Sequence, residues 1–126
     1  MSNQTLKSIN PLSILAADMQ MEIDDIGTHL DVLEKSGMDC NKLQKIIAYR
    51  QKTIEDRNHL IEERTEIIDR ISRIDDELYR KVLTSRYVDG MSCEKLAEEL
   101  GYSSRGIAKV IKRAHAAFEA IPQCSL

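Results

Sequence analysis

The chain has 126 residues, enough for one modest domain or a small domain with a long helical extension, and too few for two independent cores. Trp is absent, aromatics are scarce, and only five Gly and two Pro interrupt a composition rich in Leu, Ile, Ala, Glu, Lys and Arg, which favours an all-α fold over sheet. At 31% charged and 42% hydrophobic residues with a net charge of −3, the chain is too apolar for full disorder and too interrupted by charge to cross a membrane.

Residues 1–11 are polar and without periodicity, so a disordered N-terminus is expected there, with Pro11 supplying a helix start that needs no amide hydrogen. No charged start, apolar run and small-residue cleavage site follow one another, and the expectation is a cytoplasmic protein with no membrane partner. The first helix is expected from Leu12 to Lys35. Leu12, Met19, Ile26 and Leu33 recur every seven residues, with Ala16, Ile23 and Leu30 four further on, which lines one face with apolar side chains. Ser36-Gly37 closes it, glycine being free to take the left-handed conformation of a C-cap.

A second helix is expected from Asp39 or Asn41 to about Ile74 without Gly or Pro, roughly 50 Å at 1.5 Å per residue. Ile47, Ile54, Ile61 and Ile68 hold a strict seven-residue spacing, joined by Ile46, Leu60, Ile67 and Ile74 on the adjacent stripe. Arg50, Arg57 and Arg64 occupy the complementary positions, so the expected seam is apolar at both ends and wet in the middle. Such a helix can fold back on the first as an antiparallel hairpin or pair with another subunit as an imperfect coiled coil. Both together make residues 12–74 a dimerisation arm, and the chain a homo-oligomer.

After Asp75-Asp76 the helices shorten, and residues 75–121 read as a separate region with a tail at 122–126. Leu78, Val82, Leu83 and Tyr87 share a face, Asp89-Gly90 makes a turn, and Ser92 caps a short helix that ends at Gly101. A last helix follows from its N-cap Ser103 to about Ala120, stopped by Pro122.

The stretch "SCEKLAEELGYSSRGIAKVIKRA" meets the constraints of a helix-turn-helix. Ala97 is small where the second helix must come close, Gly101 stands where the turn needs positive φ, and Leu96 and Leu100 point inward. Ile107, Val110, Ile111, Ala114 and Phe118 give the last helix one continuous buried face. The same 100° step places Arg105, Lys109 and Lys112 on the opposite face, flanked by Ser103, Ser104, Ala108 and Arg113. Arg can fork onto guanine in a major groove, Lys can neutralise phosphate, and serine hydroxyls can bond either. Double-stranded DNA is therefore the expected partner. Glu94, Glu98 and Glu99 on the preceding helix restrict that contact to a narrow edge and leave an acidic face for a protein.

The run from Leu83 to Ala114, through Arg86-Tyr87, Gly90, Ser92, Glu94, Leu96-Ala97, Leu100-Gly101 and Ser103, resembles region 4 of sigma-70-type factors. Its "RYVDG" and "LGYSSR" are closest to small phage-encoded regulators of the RinA and ArpU type. The resemblance implies a transcriptional regulator of phage or prophage origin, possible contact with RNA polymerase, and a helix reading DNA from Ser103 onward. No region 2 precedes the motif, so a complete sigma factor is not expected. Alternative expectations are a small terminase-like DNA-packaging subunit and a sigma-like adaptor for RNA polymerase.

No Gly-rich phosphate loop or nucleophile-base arrangement is visible, and the expectation is a non-enzymatic protein without cofactors. Cys40, Cys93 and Cys124 lack metal-site spacing and read as free thiols. His29, His59 and His115 stand alone without metal-ligand neighbours, and His115 extends the basic end of the last helix within reach of a phosphate.

Overall fold

The computed structural model describes residues 5–122, and every regular element among them is helical. Helix α1 spans Ile9–Lys35, α2 Cys40–Ser72, α3 Glu77–Leu83, α4 Cys93–Leu100 and α5 Ser104–Ala120. A 3-10 turn, Leu6–Ser8, precedes α1, and a π-helical turn, Thr84–Val88, follows α3. Two compact units are present: Leu12–Glu62, and a second built from residues 5–11 together with 63–122. Helix α2 contributes to both. The junction at Asp75-Asp76, expected to separate two regions, falls inside the second unit.

The first unit is an antiparallel helical hairpin. Ser36-Gly37 reverses the chain, with the Met38 N–H donating to Leu33 O at 3.3 Å and the Gly37 N–H to Glu34 O at 3.3 Å while Gly37 takes φ 80°. Leu12, Ala16, Met19, Ile23, Ile26, Leu30 and Leu33 are all buried or half-buried, so the stripe expected on α1 is the one turned inward. On α2 the inward positions are Ile46, Arg50, Thr53, Arg57 and Leu60. The neighbouring stripe stands off the seam, with Ile47 39% and Ile61 43% exposed.

The expected wet middle of this seam is corrected in one respect. Arg50 and Arg57 are half-buried and bonded: Arg50 Nε donates to Ile23 O at 3.1 Å, and Arg57 donates through Nη1 to Gln20 Oε1 and through Nη2 to Asn58 Oδ1. Their long aliphatic stems line the groove, and each guanidinium finds a polar atom of α1. Buried Thr53 turns its hydroxyl back to Tyr49 O at 3.0 Å, satisfying its own donor. Tyr49 donates its phenol to Glu22 Oε1 at 2.5 Å, and this bond with the adjacent carboxylate charge raises the phenol pKa.

The second unit is drier. Val82, Leu83, Ala114 and Phe118 are fully buried, and Leu96 and Ile107 nearly so. Fully burying a side chain of this size contributes about 1.5–3 kcal/mol. Ile67, Ile71 and Ile74 from the end of α2 and the junction after it are buried in the same unit. The expectation of disorder over residues 1–11 is corrected for residues 5–11: Leu6 and Ile9 are 3% and 0% exposed, and Asn10 Nδ2 lies beside Gly90. Two apolar residues at i and i+3 are enough to fasten a short polar segment, but too few to show a period. Residues 1–4 and 123–126, with Cys124 and most of the expected tail, lie outside the described residues.

Candidate nucleic-acid interface

Local signals set the path from α3 to α5. Asp76 caps α3, its carboxylate accepting from the N–H groups of Leu78 at 2.9 Å and Tyr79 at 3.2 Å. The second acid of the pair at this junction therefore has a structural task. Ser92 caps α4 by accepting from the Lys95 N–H at 3.2 Å. Helix α4 ends at Gly101, whose φ of 74° and ψ of 29° are left-handed, and the Tyr102 N–H closes the turn on Ala97 O at 2.8 Å. Ser103 then adopts extended backbone, and its hydroxyl oxygen accepts from the Gly106 N–H at 3.0 Å to start α5.

The inner side of α5 is fixed by burial. Ile107 and Val110 pack in one cluster with Val82, Leu96 and Ala97, and further along Ala114 and Phe118 are fully enclosed. The C-terminal end of α5 is held by an arginine from α2. Arg70 is 4% exposed; its Nε donates to Ile121 O at 3.1 Å, its Nη2 donates to Phe118 O at 3.1 Å and to Ile121 O at 2.9 Å, and its guanidinium lies 4.0 Å above the Phe118 ring. A positive group at a helix C-terminus complements the carbonyl dipoles there. Arg73 adds a bond from Nη2 to Pro122 O at 2.9 Å.

With its inner side fixed, α5 presents Ser103, Ser104, Arg105, Ala108, Lys109, Lys112 and Arg113 outward, and all seven are exposed. No acid stands in the first turn of α5. Among the described residues none of Arg105, Lys109, Lys112 and Arg113 is in an ion pair. Four cations on one helix edge without counter-charges favour an anionic polymer. Glu94, Glu98 and Glu99 are exposed on α4, and a depression of about 190 Å³ is lined by Cys93 and Glu94 of α4 and by Ser104 and Ile107 of α5.

Comparison with family models, curated proteins and solved structures finds no match to this chain.

Two expectations change at this surface. His115 does not extend the cationic edge: its Nε2 is 2.5 Å from the Tyr87 hydroxyl, and the two rings meet edge to face with centroids 5.3 Å apart. Burial lowers its pKa below the ordinary 6.5, which Glu119 opposes and Lys7 reinforces, so the environment disfavours the charged ring. Ser103, expected to bond DNA, has one lone pair of its oxygen engaged by the Gly106 N–H and retains its O–H and a second lone pair. Gly106 itself makes room for that cap, since a Cβ there would stand 3.1 Å from Ser103 Oγ and 3.5 Å from Tyr102 Cδ1.

Sequence reasoning missed Arg70 and Tyr102. An arginine in a charged helix carries no local mark of burial. Tyr102, 38% exposed in the turn before α5, follows directly from the Gly101 and Ser103 caps on either side of it.

Proposed function

We propose that the chain is a sequence-specific double-stranded DNA-binding regulator of transcription, of the kind phages encode, in which α4, the Gly101-Tyr102-Ser103 turn and α5 form a helix-turn-helix. The observation that supports this reading is the cationic edge of α5, exposed and without an ion pair among the described residues, on a helix whose opposite side is buried. A helix fits the major groove, which is about 12 Å wide. Arg105, in the first turn of α5, would fork onto a guanine, Lys109 and Lys112 follow along the same side, and Arg113 would meet the backbone. The first amides of α5 add their positive end for a phosphate.

A gel-shift and footprinting experiment on DNA flanking the chain's own gene tests this reading. A defined footprint is expected, with Arg105→Ala weakening it by about 1–3 kcal/mol at one base position and Lys109→Ala weakening binding as well. Absence of specific binding, or variants that bind like the parent, overturns it. A second reading, an adaptor for RNA polymerase, is favoured by the exposed acids Glu94, Glu98 and Glu99 on α4. Polymerase capture abolished by Glu98→Lys, with DNA binding insensitive to loss of the four cations, would support that instead.

A further inference from the structure

Helix α2 carries two seams, and the hairpin uses one of them. Ile46, Arg50, Thr53, Arg57 and Leu60 face α1 at alternating steps of four and three. One position round the helix, Gln44, Ile47, Gln51, Ile54, Asn58 and Ile61 repeat at steps of three and four without a charged residue among them. This second stripe is open: Gln44, Gln51 and Asn58 are exposed, Ile47 and Ile61 are 39% and 43% exposed, and Ile54 is half-buried. Such spacing is that of the two core positions of a coiled coil.

We propose that through this stripe two copies of the chain associate as a parallel, in-register pair of α2 helices. The inference stands on the hairpin and does not depend on the DNA reading.

The stripe matches itself in one orientation only. In a parallel pair Ile47, Ile54 and Ile61 each meet their own counterpart in dry layers. Gln44, Gln51 and Asn58 meet theirs, and because an amide holds both a donor and an acceptor, each pair can bond reciprocally. An antiparallel pair would set every amide against an isoleucine and leave it unbonded.

The flanking charges select the same orientation. Arg50 and Arg57 border the stripe on one side, Glu55 and Glu62 on the other, each acid five residues after an arginine. That offset is the one that brings opposite flanks together across a parallel pair, so Arg50 faces Glu55 of the second copy and Arg57 faces Glu62 of the second copy. An antiparallel pair brings arginine to arginine and glutamate to glutamate. Both arginines are also engaged within the hairpin. Arg50 bonds α1 through Nε and lays Nη2 against Gly27, while Arg57 reaches α1 with Nη1 and Asn58 of the stripe with Nη2. Arg57 Nε is buried and has no hydrogen-bond partner among the described residues. A parallel pair also brings the C-termini of both α2 helices to the same end.

Sedimentation equilibrium on the full chain is expected to give about twice the chain mass of 14.4 kDa. The double variant Ile54→Glu/Ile61→Glu is expected to raise the dissociation constant by at least about 100-fold with helical circular dichroism retained. Gln51→Glu alters a side chain exposed in the single chain, so it carries the same test if the double variant loses helicity. It is expected to weaken association at neutral pH and regain it near about pH 4, where the two facing carboxyls protonate. Orientation is read from Gln44→Cys in a chain whose three native cysteines are replaced by serine. The parallel pair forms an intermolecular disulfide on mild oxidation, whereas an antiparallel pair centred on the stripe keeps the two thiols roughly 25 Å apart. A monomeric parent, a dimer indifferent to both sets of glutamate substitutions, or absence of the cross-link overturns the proposal.

Discussion

The two units treat charge and apolar surface differently. In the hairpin, Arg50 and Arg57 lie half-buried in the seam while Ile47 and Ile61 stand outside it. In the C-terminal unit the core is aliphatic around Phe118 and the bonded Arg70, and Arg105, Lys109, Lys112 and Arg113 are all outside. The difference teaches that burial is complete in one unit and unfinished in the other. The C-terminal unit closes on itself and offers charge, whereas the hairpin half-closes and offers an apolar stripe.

The largest break in this comparison comes from the enclosed ring. Phe118→Ala leaves a cavity in the closed unit and is expected to cost about 3–5 kcal/mol in denaturant unfolding. Next comes the one buried arginine of that unit. Arg70→Met removes the donor to the Phe118 and Ile121 carbonyls and is expected to cost about 1–3 kcal/mol by the same measurement. The hairpin arginine should behave otherwise. Arg57→Met also removes a buried Nε that has no partner among the described residues, so its stability change is expected to stay within about 1 kcal/mol at concentrations where the chain is monomeric. Equal losses for Arg70→Met and Arg57→Met would erase the distinction between a satisfied and an unfinished seam. Gly101→Ala forces a Cβ into the left-handed region and is expected to cost about 1–2 kcal/mol.

The smallest effect is one of pH. In the native unit burial holds His115 below the ordinary 6.5, so as pH falls the unfolded chain takes up the proton first. The contribution is fully present above 6.5 and is lost as pH falls below it. Melting curves from about pH 8 to about pH 5 should therefore show a steeper acid loss in the parent than in His115→Phe, which keeps the ring against Tyr87 without titrating.

Most helix ends were legible because each has a local chemical cause. Gly37 and Gly101 take positive φ, and Ser92 and Ser103 accept from amides three residues on. The inward stripe of α1 and the outward residues of α5 were legible because each helix has a single apolar period. On α2 periodicity could not choose between Ile46-Leu60 and Ile47-Ile54-Ile61, since both repeat every seven residues and lie side by side. The choice is made by α1, through the bonds of Arg50 to Ile23 and Arg57 to Gln20. Leu6 and Ile9 were illegible for the same kind of reason, because their burial depends on chain distant in sequence. The engagement of His115 by Tyr87 joins residues 28 apart and leaves no mark in either local segment.

The most direct test of the account is the salt dependence of DNA affinity, measured by fluorescence anisotropy on the footprinted fragment. Each phosphate neutralised contributes about 0.9 to the slope of log affinity against log salt, so loss of four cations removes at most about 3.6 per subunit. The account predicts that replacing Arg105, Lys109, Lys112 and Arg113 by alanine flattens the slope and abolishes the footprint. Replacing the exposed hairpin lysines Lys45 and Lys52 should leave both unchanged. An unaltered slope for the α5 variant, or an equal loss for the hairpin variant, would contradict the assignment of α5 as the DNA-reading surface.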